Sequence, residues 1–509
     1  MYYHLPMAKK KSALDRIPLR PTSVDQLNAQ ALTLLQQGQF QAGADLLRQS
    51  LMQNPRQPEA YYNFGFALQQ LGLLDSAIQA YGQSIMLSPA DVDALMARGN
   101  VFATQKRFTD AAKDFAKSVR LTPKNADAWN NLGNALLESE RESEALDAYG
   151  KALGLRPGFA QVLFNKGKAL AALERYVEAG EAYEAALKLN PDYEEAKWHL
   201  SWVRLILGDF DQGWRLFESR WRVAELGNQR RYAQLPQWLG GQSLIGKSLL
   251  LYNEQGLGDT LQFCRYIPVL QAMGAKVSLA VQRPLVGLLS GQWSDVMVAV
   301  SFADLSGFDM ATPLMSLPLA VGTTLQTVPA HVPYIHVPEA GTPVPSQQPG
   351  VQPRIGIVWS GSTLHKNDKN RSMSLAILAP LFDLPVDWIC LQPEIREADL
   401  AWLATHAEIC LERPALNDFV ETATLIAGLD LVVTVDTSVA HLAGAMGKPV
   451  WILLPTGCDY RWLLEREDSP WYPTARLFRQ KERGNWPEVV ARVAAELKTF
   501  FAARTDTSR

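Results

Sequence analysis

At 509 residues the chain has room for about three domains of ~150 residues each. Its 47% hydrophobic and 20% charged side chains describe folded globular domains, and a net charge of −3 gives no electrostatic case for nucleic acid or an anionic membrane surface. Cys264, Cys390, Cys410 and Cys458 stand apart with no C-x-x-C pair, which argues against a disulfide framework or zinc site and suits a reducing cytosol.

The first 23 residues, "MYYHLPMAKKKSALDR" and onward, carry charge but no apolar signal-peptide core, and either Met1 or Met7 serves as a start. No apolar run reaches the ~18 residues of a membrane helix. A cytoplasmic location is therefore expected.

From residue 24 the chain repeats. Pro55, Pro89, Pro123, Pro157 and Pro191 are spaced 34 residues apart. Ahead of them recur paired apolar stripes at helical spacing: Trp129, Leu132, Gly133 and Leu136, then Ala145, Tyr149 and Ala152. Gly65, Gly99, Gly133 and Gly167 recur where two helices must approach closely. This is the tetratricopeptide (TPR) period, and it predicts a superhelix over 24–225 of five repeats and a degenerate sixth. Such arrays bind protein in a concave groove. Asn63, Asn131 and Asn165 share one repeat position, and Asn100 and Asn134 another, so their amides are candidates to hold an extended peptide. Asparagine is also common at these places in such repeats. The sixth unit, "AKWHLSWVRLILGDFDQGWRLFESRW", ends in aromatic residues where a free end needs polar ones, so it is expected to pack against the next domain.

From about residue 241 apolar β-rich runs alternate with helical stretches, which implies parallel sheets. The Pro-, Gly- and Gln-rich segment 338–353 reads as a linker. Two similar α/β units are expected, over 241–337 and 354–505, with a cleft between them. Ligands bind beyond the carboxyl ends of such strands. Three loops fall there. "NEQGLGDT" offers Gly256 and Gly258 for close backbone approach and Asp259 as a helix cap or a general base. "WSGSTLHKNDKNRS" offers Ser360, Gly361 and Ser362 with the cations Lys366, Lys369 and Arg371. "VDTSVAHLAGAMGKPVWILLP" crowds Asp436, Thr437, Ser438 and His441 at one helix start, where free N–H groups and the positive dipole end suit phosphate. Taken singly, each of these residues reads as a cap or a core histidine; taken together at a cleft they favour an anion. No D-x-D pair sits at a strand end to hold a metal.

"GLGDTLQFCRYIPVL" followed by "VDTSVAHLAGAMGKPVWILL" and "REDSPWYP" resembles the paired signatures of GT-B glycosyltransferases akin to bacterial heptosyltransferases. The order of parts is similar to bacterial TPR proteins with a C-terminal glycosyltransferase domain, among them flagellin glycosyltransferases. The resemblance implies a TPR solenoid followed by a GT-B pair of Rossmann-like domains, and an inverting, metal-independent sugar transfer from a nucleotide-diphosphate donor without a cofactor. It implies Asp259 as general base. It implies that Asp436, Thr437, Ser438 and His441 grip the donor, with Ser360, Gly361 and Arg371 beside the phosphates and Gln392 near the nucleoside. Ser438 stands where the heptosyltransferases usually have glycine, so their lipopolysaccharide acceptor is not implied; the repeats point to a protein acceptor. The competing readings are a repeat scaffold with a degenerate transferase domain and an export-complex adaptor.

Overall fold

The structure, a computed structural model, describes residues 23–227, 229–338, 352–364 and 367–506. Most of the expected linker, the N-terminal tail and Lys366 lie outside them. The chain divides into two compact units, one up to Ala169 and one from Leu170.

Among the described residues, twelve α-helices run from α1 (Val24–Gln36) to α12 (Phe210–Phe217). The recurring glycine has a direct cause in the first unit. The buried rings of Tyr81, Phe115 and Tyr149 lie on Gly65, Gly99 and Gly133, where a Cβ would stand 2.8, 2.6 and 2.4 Å from them. The corner between paired helices is left-handed at every repeat: Gly38, Gly72 and Gly208 have φ of +75°, +75° and +84°, and Lys106, Glu140 and Glu174 have 59°, 58° and 60°.

The second unit begins with repeat helices α10 (Tyr176–Leu189), α11 (Glu194–Ile206) and α12. The aromatic end of the array is core. Trp202 meets Tyr460 edge-on at 4.9 Å, Phe210 stacks on Trp471 at 6.0 Å, and Trp214 contacts Phe263 at 6.1 Å. Full burial of a side chain such as Phe210 contributes about 1.5–3 kcal/mol. The compact unit thus starts some 70 residues before the change of sequence texture near 241.

Two parallel sheets come next in the chain. The first holds β1 (Ser248–Tyr252), β2 (Lys276–Ala280), β3 (Met297–Ala299) and β4 (Met310–Pro313) in the order β3-β2-β1-β4. The second holds β5 (Arg354–Val358), β6 (Asp387–Cys390), β7 (Leu411–Glu412), β8 (Leu431–Val435), β9 (Val450–Leu454) and β10 (Ala475–Arg479) in the order β10-β9-β8-β5-β6-β7. β8 and β9 are buried along their whole length, which is why they read as unbroken apolar runs. The closing helix Trp486–Asp506 covers the second sheet with Trp486, Val489, Val490, Val493 and Leu497. Strand order reverses between β1 and β4 in one sheet and between β5 and β8 in the other. A crevice opens beyond the strand ends at each such reversal.

Candidate active site

The loops leaving β1, β5 and β8 meet in one cleft of 1180 Å³ within the second unit. Gly256, Gly258, Asp259, Ser360, Gly361, Arg371, Gln392, Asp436, Thr437, Ser438 and His441 all line it. Contact between the loops is close. The helix Leu257–Phe263 packs on the helix Ser438–Ala445, and a Cβ at Gly258 would lie 2.6 Å from His441 Cδ2.

Asp259 is not the N-cap of its helix. Gly256 holds that position, and Asp259, three residues on, accepts its N–H at 2.7 Å in a capping box. The other Asp259 oxygen accepts from Arg461, which also pairs with Asp459 at 2.9 Å.

At the β5–β8 crevice Arg371 lies against Gly361, where a Cβ would come within 2.5 Å of its Nη2, and Nη1 donates to the Asp436 carbonyl at 2.9 Å. The short loop after β5 is pinned by Ser372, whose hydroxyl accepts from Gly361 N at 2.9 Å and donates to Asp368 at 2.6 Å. Asp368 pairs with Arg396 at 2.6 Å. Thr437 occupies the N-cap position of the helix Ser438–Ala445, but its side chain makes no capping bond.

His441 is buried, its Nδ1 sits 2.9 Å from the Tyr472 hydroxyl, and its ring stacks on Trp462 at 5.5 Å. Burial first, then Arg461, Arg265 and Arg371, hold it well below the ordinary histidine range, so it is neutral. Asp436 is pushed up to about 6 by burial and by Asp459, against the opposing pull of the Trp462 hydrogen bond, Arg461 and Arg371.

One sequence expectation narrows and another changes. Gln392 lines the cleft, but its amide oxygen accepts from Trp359 N and Ser360 N, both at 2.9 Å, and its NH2 donates to the Glu394 carbonyl. It shapes the turn after β5, its amide oxygen is committed to the backbone, and one of its two amide N–H groups is left. In the first unit Asn165 is buried, donating to Asn130 at 3.0 Å and accepting from Gln161 at 3.3 Å, so it joins helices and does not face an open groove. Asn134 accepts the Tyr149 hydroxyl at 2.8 Å, Asn131 lies 3.4 Å from Asn100, and Asn63 is half-buried. Lys369 is exposed and does not line the cleft.

Other lining residues escaped the sequence reading. Asp459 and Arg461 follow β9 at its carboxyl end, a position whose motif "CDYRW" could have flagged them. Tyr176, Tyr183, Trp198, His199 and Trp202 bring the last repeat helices into the cleft wall. Among the described residues no group of three or more His, Cys, Asp and Glu is gathered as a metal site, and no helix is long and apolar enough to cross a membrane.

Two protein families match parts of this chain. The tetratricopeptide-repeat family matches five overlapping stretches between residues 28 and 213. Glycosyltransferase family 9 (heptosyltransferase) matches residues 400–455, which include β8, the helix Ser438–Ala445 and β9. Protein FlbA of Caulobacter vibrioides (strain ATCC 19089 / CIP 103742 / CB 15) is 27% identical over 329 residues, 59% of this chain. The chain covers 54% of that relative, about half its length. Among solved structures, YrrB, described as a TPR protein with an unusual peptide-binding site, aligns with 36% of this chain and 94% of its own at 20% identity and a TM-score of 0.32. PilF of Pseudomonas aeruginosa aligns with 40% of this chain and 92% of its own at 19% identity and a TM-score of 0.34. The chain joins TPR repeats to a glycosyltransferase-like α/β region.

Proposed function

We propose that the protein transfers a sugar from a nucleotide-diphosphate donor to a hydroxyl of a protein acceptor recognised by the repeats. The observation that carries this reading is the meeting of Asp259 with Arg371, Thr437, Ser438 and His441 around one cleft. In the reaction an acceptor hydroxyl attacks the anomeric carbon from the face opposite the diphosphate and inverts it. The new C–O bond forms as the bond from the anomeric carbon to the phosphate oxygen breaks. The proton passes to Asp259, and the bonding pair leaves with the nucleoside diphosphate. Charge grows on the departing phosphate in the transition state. In this reading the Arg371 guanidinium, the Thr437 and Ser438 hydroxyls and the helix N-terminus meet it, and such fixed donors act most where charge develops. In this reading these groups supply the positive potential without a metal ion, and neutral His441 adds a donor at no cost in charge.

Asp259's engagement by both Gly256 and Arg461 favours a second reading, in which that carboxylate is structural and the cleft only binds. Incubating the full chain with UDP-, GDP- and ADP-linked sugars separates the two. Donor hydrolysis together with a rise in melting temperature supports the transferase. A thermal shift without turnover, with or without the acceptor protein, supports binding alone, and no shift with any donor rejects both.

A further inference from the structure

The crevice beyond β5 and β8 opens into the cleft, whereas the corresponding crevice beyond β1 and β4 is occupied. Its occupant is Arg220, fully buried, in the 3-10 turn Glu218–Trp221 that ends the last repeat. Arg220 grips Glu254, just past β1, through Nε at 2.7 Å and Nη2 at 3.0 Å. It donates to Ser316, just past β4, at 2.7 Å, and to Glu218 at 2.7 Å. Glu254 also accepts from Met315 N at 3.2 Å, and Ser316 donates to Glu218 at 2.6 Å. One guanidinium therefore ties the end of the repeat array to both strand ends.

The loop it grips is the one that presents Asp259. Each anchor of that loop is specific. Asn253 N donates to the Ala280 carbonyl at 3.0 Å, the Gln255 carbonyl accepts from Gln282 at 2.7 Å, and Asp259 is held by Gly256 and Arg461. Glu254 is the point where the repeat end takes hold. Apolar neighbours such as Trp214 and Phe217 would serve as well for cohesion alone. A planar two-bond fork fixes direction as well as distance, and a lysine cannot reproduce it.

We infer that Arg220 is a positioning residue: through Glu254, the end of the repeat array sets the place of the loop that carries Asp259. This rests on the proposed transfer only for what Asp259 then does.

The test uses the full chain carrying Arg220→Lys, which keeps the charge and loses the fork. Hydrogen exchange of the amides in 253–260 should speed up by roughly tenfold or more, with residues 431–445 unchanged and a single cooperative melt retained. With a turned-over donor, kcat should fall by about 10- to 100-fold, the scale of a small misplacement of a reacting group, while donor KM stays within about threefold. Should Arg220→Lys not fold, the milder Ser316→Ala, which removes one of the bonds to Arg220 and keeps every charge, is read by the same exchange measurement. Unchanged protection at 253–260 in a folded variant overturns the inference, as does a rise in donor KM equal to the loss in kcat. A wild type that turns over no donor counts against the proposed transfer, and the exchange result alone then decides the role of Arg220.

Discussion

The two sheets of the second unit reverse strand order in the same way and end differently at the reversal. Beyond β5 and β8 lie glycine, small hydroxyls and an arginine whose guanidinium rests on Gly361 and borders the cleft. Beyond β1 and β4 lies an arginine fully buried between two glutamates. Topology creates a crevice at each place, and local side chains decide whether it holds a ligand or is closed by the protein itself. One sheet lines the open cleft with hydroxyls and a cation, and the other holds the loop that carries a carboxylate.

This contrast is most directly broken by removing one arginine at a time. Arg220→Met leaves Glu254 and Glu218 buried without their cation and should cost about 3–5 kcal/mol of stability, read as a lower urea midpoint. Arg371→Met should cost about 1 kcal/mol of stability but weaken nucleoside-diphosphate binding by about 1.5–3 kcal/mol in titration calorimetry. The reverse pattern would show that the filled and open crevices have been assigned the wrong way round.

Asp259→Asn tests the platform. Turnover should drop by about 10²–10⁴ while donor affinity changes little. Arg461 keeps Asp459 as a partner, so the chain should still fold, with a moderately lower melting temperature. Near-normal turnover in the folded variant would reduce Asp259 to its capping bond and its ion pair.

The smallest effect concerns pH at the open crevice. Asp436 titrates at about 6, above the ~3.9 of a free aspartic acid. The folded chain keeps a proton there that the unfolded chain has released, so this group's contribution to stability is full below pH ~4 and lost as pH rises through 6. Under the proposed donor binding, the same step adds a negative charge beside the phosphate. Nucleoside-diphosphate affinity relative to Asp436→Asn should therefore fall by about 3- to 10-fold between roughly pH 5 and 7. The ratio cancels the ligand's own ionisation, and a flat ratio would remove Asp436 from the phosphate's surroundings.

How legible all this was depended on the range of each interaction. The repeats are local, so a period of 34 residues and a ring stacked on a glycine leave a direct trace in the sequence. The loops after β1, β5 and β8 could be located because strand alternation puts strand ends in register, and a polar cluster at one helix start marks itself. Arg461 and Arg220 were missed because their carboxylate partners Asp259 and Glu254 lie 202 and 34 positions away in the chain. Asn165 falls on the right element, but periodicity cannot tell an amide that faces a groove from one consumed by its neighbours.

The aromatic end of the repeats has a consequence for where the chain can be cut. A fragment starting near residue 241, where the texture changes, would discard Phe210, Trp214 and Phe217 and uncover the faces of Phe263, Tyr460 and Trp471 that they seal. It would also leave Glu254 buried without its arginine. The compact unit that keeps these contacts includes the last repeat helices, from Tyr176 onward.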